Sequence, residues 1–412
     1  MFFADARSQL NEMNVSQPMI RRGLIFAAVL SGASIPISTA GQNLGAALLA
    51  GLLVSNTNNW GAIKKACFQP FSIIGLTLGL LLALGSLWTS ADFLSAWSFF
   101  WKMRAYYLIP IFLVIFSHPK FRNLTLSSFC IFSLITVIIS VTSASFNYPV
   151  FKGLHGDWFV FKTHTYHNFY AALAVVVLTA IVLTQPLAGY LKAILLALIA
   201  LTSFDILFLV TGRTGQIVFL CMLALVILMW NFRRGLALLA FLALALTLLL
   251  PRYSTSFEEG VSNAKSDLLA YSSGNANTPI GLRLAWHKNS VALIMESPLF
   301  GHGTGSFKTE YTKVPATETN ALLSENPHND YLWLSVELGL PGGMLLLALL
   351  LAAAWQGRTL LPPWKWTLYA LLLGMGVSTL ANSFFTDNTT GLAFVVLSCA
   401  LLNGPRRRQN EP

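Results

Sequence analysis

Twelve apolar runs divide this chain, and they restrict it to one class of fold. They cover residues 23–40, 44–55, 70–88, 105–117, 124–143, 168–184, 190–210, 215–231, 235–250, 329–355, 366–385 and 389–403. A helix needs roughly 20 apolar residues to cross a bilayer, and fewer where it is packed or irregular. Only 10% of the 412 residues are charged and 55% are hydrophobic, whereas a soluble domain carries about 25% charged residues. Such a surface needs lipid. The expected fold is all-α, a polytopic membrane protein of about twelve transmembrane helices. The runs at 44–55 and 105–117 are short for a span.

One stretch breaks the pattern. From Pro251 to Asn329 the chain is polar, with Glu258, Asp267, Arg283, Glu318 and Glu325 among its charges. A structureless connection of this length usually signals function. Residues 1–412 therefore read as a single membrane domain, with 251–328 as a loop subdomain between the ninth and tenth helices. Within it, Gly281 to Glu296 reads as a helix whose apolar stripe is Leu282, Trp286, Leu293 and Ile294. Ser297-Pro298 ends that helix. Gly301-His302-Gly303-Thr304-Gly305 reads as a flexible turn; a lone glycine-rich loop without the Walker lysine is weak evidence of phosphate binding.

Lysine and arginine set the orientation. With the N-terminus inside, fifteen fall on the cytoplasmic side. Five (Lys102, Arg104, Lys152, Lys162 and Arg213) fall in short outer loops, and six in the long polar stretch. Short loops decide topology, so residues 251–328 are expected outside and both termini in the cytoplasm. The same asymmetry explains the net charge of +10 without nucleic acid. Cys67, Cys130, Cys221 and Cys399 all lie outside the polar stretch and have no metal-site spacing. Arg21-Arg22, an apolar run and Ser38-Thr39-Ala40 imitate a secretory leader, but the many spans that follow favour a first membrane helix. On the outer side, Phe93, Trp97 and Trp101 recur at helical spacing. Phe151, Trp158, Phe159, Phe161 and Tyr166 are interleaved with Lys152, His155, Lys162, His164 and His167. These aromatics read either as an interfacial belt or as a surface for a lipid with anionic head groups.

Individual candidates each have a bland reading. Arg213, between the glycines of Thr211-Gly212-Arg213-Thr214-Gly215, is costly at a membrane surface unless partnered; alone it is also a headgroup-snorkelling arginine. Arg283 alone is a solvated helix charge, and His328 alone a residue near a helix cap. Asp387, between the last two helices, is either a loop residue or a group that orients His328 or an arginine. Glu337 lies nine residues beyond His328, about two and a half turns on, and reads as a structural carboxylate inside the bundle. A kink is expected at Gly339-Leu340-Pro341-Gly342-Gly343.

Taken in order, the fragments resemble the O-antigen ligase/polymerase superfamily of bacterial envelope glycosyltransferases. The resemblance covers roughly the C-terminal half. It rests on Thr211–Gly215, on Arg283-Leu284-Ala285-Trp286 with Ser297–Phe307, and on Pro327-His328-Asn329-Asp330-Tyr331-Leu332 running on to Glu337–Gly342. It implies a GT-C-like membrane architecture in the bacterial inner membrane, with the active site on the periplasmic face. It implies O-antigen ligase activity: glycan passes from undecaprenyl diphosphate to a sugar hydroxyl of lipid A–core, completing lipopolysaccharide. In that chemistry Arg213 and Arg283 bind diphosphate, since guanidinium forks match phosphate oxygens. His328 is the catalytic base. No cofactor and no metal is expected. The partners implied are the lipid-linked donor, lipid A–core and membrane lipids. The alternatives are a polysaccharide polymerase of the same superfamily and, in a different class, a transporter or flippase of lipid-linked sugars. Transporter sites usually sit near the bilayer midplane on broken helices of repeated halves; these candidates cluster at one surface, and the halves are unlike.

Overall fold

The computed structural model describes residues 18–253, 255–314 and 324–407. Arg7, Glu318, Arg408 and the chain termini lie outside them, as does part of the 251–328 stretch. Among the described residues the protein is all-helical, with isolated bridges but no strand. Helices satisfy their backbone polar groups internally, which lipid demands.

The first helices are α1 (Pro18–Ser34), α2 (Thr39–Val54), α3 (Trp60–Cys67) and α4 (Pro70–Gly85). Ser38, placed in the first apolar run, instead caps α2 by accepting from the Gly41 amide. The 57–67 and 70–85 segments are bent by 89° at a short break, where Pro70 begins the second helix without needing an amide partner. The run at 105–117 is broken: after α5 (Phe93–Lys102) come α6 (Arg104–Tyr107) and α7 (Ile109–Ser117), neither long enough to span alone.

Then follow α8 (Pro119–Ser145), α9 (His164–Thr184), α10 (Gly189–Phe204), which continues as a π turn over Asp205–Leu209, α11 (Arg213–Trp230) and α12 (Phe232–Tyr253). The polar stretch, expected to be largely without regular structure, is mostly helical: α13 (Thr255–Ser272), α14 (Pro279–Glu296) and the short α15 (Phe307–Tyr311). α14 matches the expected helix, with Leu293 and Ile294 buried. The run at 329–355 is two helices, α16 (Asp330–Leu338) and α17 (Leu340–Gly357). They part at Gly339, whose φ of 73° lies in the left-handed region. α18 (Trp364–Ser378) and α19 (Asn388–Leu402) complete the chain.

Among the described residues, five helices are long and apolar enough to cross a membrane, or six if the bent pair is one span. The interior lies around α19, where every residue from Thr389 to Leu402 is buried. α19 contacts α2, α6, α7, α8 and α18. α9 packs on α8, α10, α11 and α18.

Connections gather at two ends. At one, Arg406 donates to the Gln356 carbonyl and the Thr359 hydroxyl, and Arg122 reaches the Asn403 carbonyl. At the other, Lys162 donates to Thr39 (2.6 Å), Thr211 to Asp157 (2.9 Å) and Ser383 to Asn326 (3.1 Å). All the candidate residues lie at this second end.

Candidate functional site

His328 sits just before α16 in a strained conformation. Its φ is 52°, in the left-handed region that costs a residue with a side chain roughly 1–3 kcal/mol and recurs at functional sites. Local contacts hold it there. Asn326 Oδ1 accepts the His328 amide at 3.0 Å, and Asn329 Oδ1 caps α16 by accepting from Leu332 at 3.2 Å. The imidazole stacks on the Trp286 ring, centroids 5.0 Å apart and 25° from parallel. Pro327 and Trp286 thus fix the backbone and ring against α14.

The charges around His328 come from α14. Burial lowers its pKa below the ordinary histidine value; the Arg283 cation and His287 lower it further. Arg283, half-buried one turn before His287, is itself depressed by burial and then by Arg213. The three residues, drawn from three separate segments, therefore share one electrostatic environment. His287 escaped the sequence reading. Its signal was spacing: Arg283 and His287 are four residues apart and share a helix face. It donates to the Pro327 carbonyl, and burial and Arg283 hold its pKa down against that bond.

Arg213 opens α11 and is exposed. The turn before it is fixed by Asp157, also absent from the sequence reading. Asp157 Oδ1 accepts the Thr211 amide at 2.9 Å, and Oδ2 lies 3.1 Å from His164 Nδ1 at the head of α9. Gly215 has a packing reason: a Cβ there would stand 2.4 Å from the Asn168 Cβ. Beneath the turn, His167 Nε2 meets Asp205 Oδ2 at 2.8 Å, both buried, and Ser140 donates to Asp205 Oδ1 at 2.6 Å. Among the described residues neither Arg213 nor Arg283 is paired with a carboxylate.

Asp387 takes a different position. It caps α19 by accepting from Thr389 (2.7 Å) and Thr390 (3.4 Å), and it accepts from the Tyr166 hydroxyl. It lines a cavity of about 230 Å³ that His328 also lines. The contacts that orient His328 come from Asn326 and Trp286.

The glycine-rich segment is a clamp rather than a flexible turn. His302 and Gly303 donate to the Val336 and Glu337 carbonyls (2.9 and 2.8 Å), and Thr304 to that of Gly85 (3.2 Å). These carbonyls end α16 and α4, where a helix has no N–H donor of its own for its last carbonyls. Gly305 donates to Glu337 Oε2 at 3.0 Å, and Trp333 to Oε1 at 2.8 Å. Glu337 is fully buried in these bonds, which suits the structural role read for it. At Gly303, φ is 91° and a Cβ would stand 2.2 Å from Thr89 Cα.

Asp330, also buried, ties α16 to the 379–387 connection. Its carboxyl group accepts from Phe385 N (2.6 Å), Thr386 Oγ1 (2.6 Å) and Thr379 Oγ1 (3.3 Å). Asp330→Ala leaves several buried donors without an acceptor, each costing about 1–3 kcal/mol. The expected outcome is a strongly lowered Tm of the purified protein in detergent, with Asp330→Asn affected less. An unchanged Tm for Asp330→Ala would remove this tie from the account of how His328 is held.

Two guanidinium groups, one of them acting on an imidazole whose pKa is held down, can grip phosphate oxygens and accept a proton. Residues 198–347, which contain Arg213, Arg283 and His328, match the family model described as O-antigen ligase. This segment is similar to the O-antigen ligase family. The matched segment runs from α10 into α17, so Asp387 lies beyond it. A curated relative, an uncharacterized protein of Haemophilus influenzae, is 30% identical over 125 residues. That match covers 29% of this chain and 31% of the relative, so the chain aligns with about a third of that relative's length.

Proposed function

We propose that this protein is an O-antigen ligase of the bacterial inner membrane. It transfers glycan from undecaprenyl diphosphate to a sugar hydroxyl of lipid A–core on the periplasmic side. The observation that carries this reading is the grouping of Arg213, Arg283 and His328 within the matched family segment. The glycosidic bond to the donor diphosphate breaks, and diphosphate leaves with the bonding electrons. Arg213 and Arg283 stabilise the charge growing on it. The acceptor oxygen bonds to the anomeric carbon, and its proton passes to His328. This reading includes the GT-C-like architecture of about twelve spans and the absence of cofactor and metal. It also includes Asp387 as a supporting residue.

Reconstitution with a purified lipid-linked glycan tests the activity. Product on lipid A–core supports the ligase. A lengthened chain on a second lipid-linked glycan makes the protein a polymerase of the same superfamily. Flipping of the glycan lipid with neither product makes it a transporter.

The topology has its own prediction. In the proposed arrangement residues 251–328 form a periplasmic subdomain between the ninth and tenth spans, and both termini are cytoplasmic. A cysteine placed at Ser272, in a background lacking the four native cysteines, should react with a membrane-impermeant thiol reagent in intact spheroplasts. Labelling only after lysis would put the site on the wrong face for lipid A–core.

A further inference from the structure

The cavity beside His328 has no role in the reaction as described so far. Tyr166 of α9 lines it, as do Asn382, Ser383 and Asp387 from the connection between α18 and α19. Neither Arg213 nor Arg283 lines it. Part of its wall is fixed: Ser383 donates to Asn326 at 3.1 Å, and Tyr166 donates to Asp387, which caps α19. The Asn382 amide differs. Its Nδ2 is buried and has no hydrogen-bond partner among the described residues. A buried amide donor without a protein acceptor is disfavoured, so such a group is satisfied by ordered water or by a bound group. Amide donors, the Lys102 ammonium, a carboxylate acceptor and hydroxyls in one pocket match a sugar ring, whose hydroxyls both donate and accept.

We infer that this cavity is the subsite for the acceptor sugar, with the Asn382 amide donating to a sugar oxygen and Asp387 accepting from a hydroxyl. The inference rests on the proposed glycosyl transfer and adds the place of the second substrate. In a direct displacement the incoming oxygen and the leaving diphosphate lie on opposite sides of the anomeric carbon. Arg283 acts on His328 from α14, where Trp286 covers its ring, and Arg213 acts on Arg283 from α11. The cavity meets His328 without them. An acceptor seated there presents its hydroxyl to the imidazole from a side the diphosphate does not occupy. The wall supplied by 382–387 lies outside the matched family segment, where acceptor preference can differ while the diphosphate grip is kept.

Asn382→Ala tests the assignment, because the lost amide nitrogen has no protein partner whose loss would unfold the chain. With full-length protein in lipid nanodiscs, the acceptor KM should rise about tenfold, the usual scale for one lost hydrogen bond in a desolvated site. Affinity for the lipid-linked donor, measured without acceptor, should stay within about twofold. Thr165 also lines the cavity; Thr165→Phe, which narrows it, should raise the acceptor KM as well and spare donor affinity. Loss of donor affinity with an unmoved acceptor KM would assign the cavity to the donor and overturn the inference. So would two variants with unchanged values for both substrates. Failure of the unmutated protein to transfer to lipid A–core in the same assay would instead sink the ligase reading itself.

Discussion

Replacing His328 by alanine is expected to lower turnover by about 10²–10⁴-fold, the range for a lost acid–base group. Affinity for the lipid-linked donor should change little, because the diphosphate is held by Arg213 and Arg283. The base must be neutral to accept the hydroxyl proton. Burial, Arg283 and His287 all lower the His328 pKa, so the neutral form persists below the pH at which an ordinary histidine takes up a proton. Activity should therefore hold through neutral pH and fall only in acid, as His328 binds one proton. A histidine acting as a cation on phosphate predicts the reverse: function that improves in acid, and weakened donor affinity in the alanine variant. Donor binding and single-turnover rate of His328→Ala separate the two. An unchanged rate at saturating donor, with a large loss of affinity, would make His328 a third phosphate ligand.

The conformation of His328 shows where sequence reading stops. Its proximity to a helix start was legible from Pro327 and the apolar run after Asp330. Its positive φ and the stacking on Trp286 were not, since both depend on α14 meeting α16 across 42 residues of chain. Local patterns did place α14, whose stripe of apolar residues and Ser297-Pro298 stop fix its length. They also marked Glu337 as a carboxylate too deep to be solvated. The polar ties escaped: Asp157 to Thr211, Asp205 to His167, Asp330 to Thr386. An aspartate in a loop looks the same in sequence whether it faces water or a distant amide. α13 was missed because its polar composition lacks the apolar periodicity by which a helix is read. The break at Gly339 was legible from its glycine–proline run, and the structure parts α16 from α17 there.

Arg213→Ala and Arg283→Ala should each abolish most transfer while the protein still inserts and stays monodisperse. Losing one charged hydrogen-bonding partner in a desolvated site costs about 2–5 kcal/mol, or roughly 30- to several-thousand-fold. Lysine should fail badly at both positions, because a point charge does not reproduce the bidentate fork. Near-normal transfer by both lysine variants would reduce the arginines to topological charges. Transfer should survive EDTA, and its loss with recovery on adding Mg²⁺ or Mn²⁺ would assign part of the charge stabilisation to a metal. Arg283 carries a second signature, since its cation is one cause of the lowered His328 pKa. Removing that charge lets the His328 pKa rise toward its ordinary value, so the acid limb of the residual activity of Arg283→Ala should move to higher pH. Arg283→Lys keeps a cation and should leave the limb near its original position, although its rate is poor. Arg213 acts on Arg283 rather than on His328, so Arg213→Ala should shift the limb less. Equal limbs in Arg283→Ala and the unmutated protein would mean that the arginine does not act on the group whose protonation limits the rate, and the pairing of base and phosphate grip would have to be abandoned.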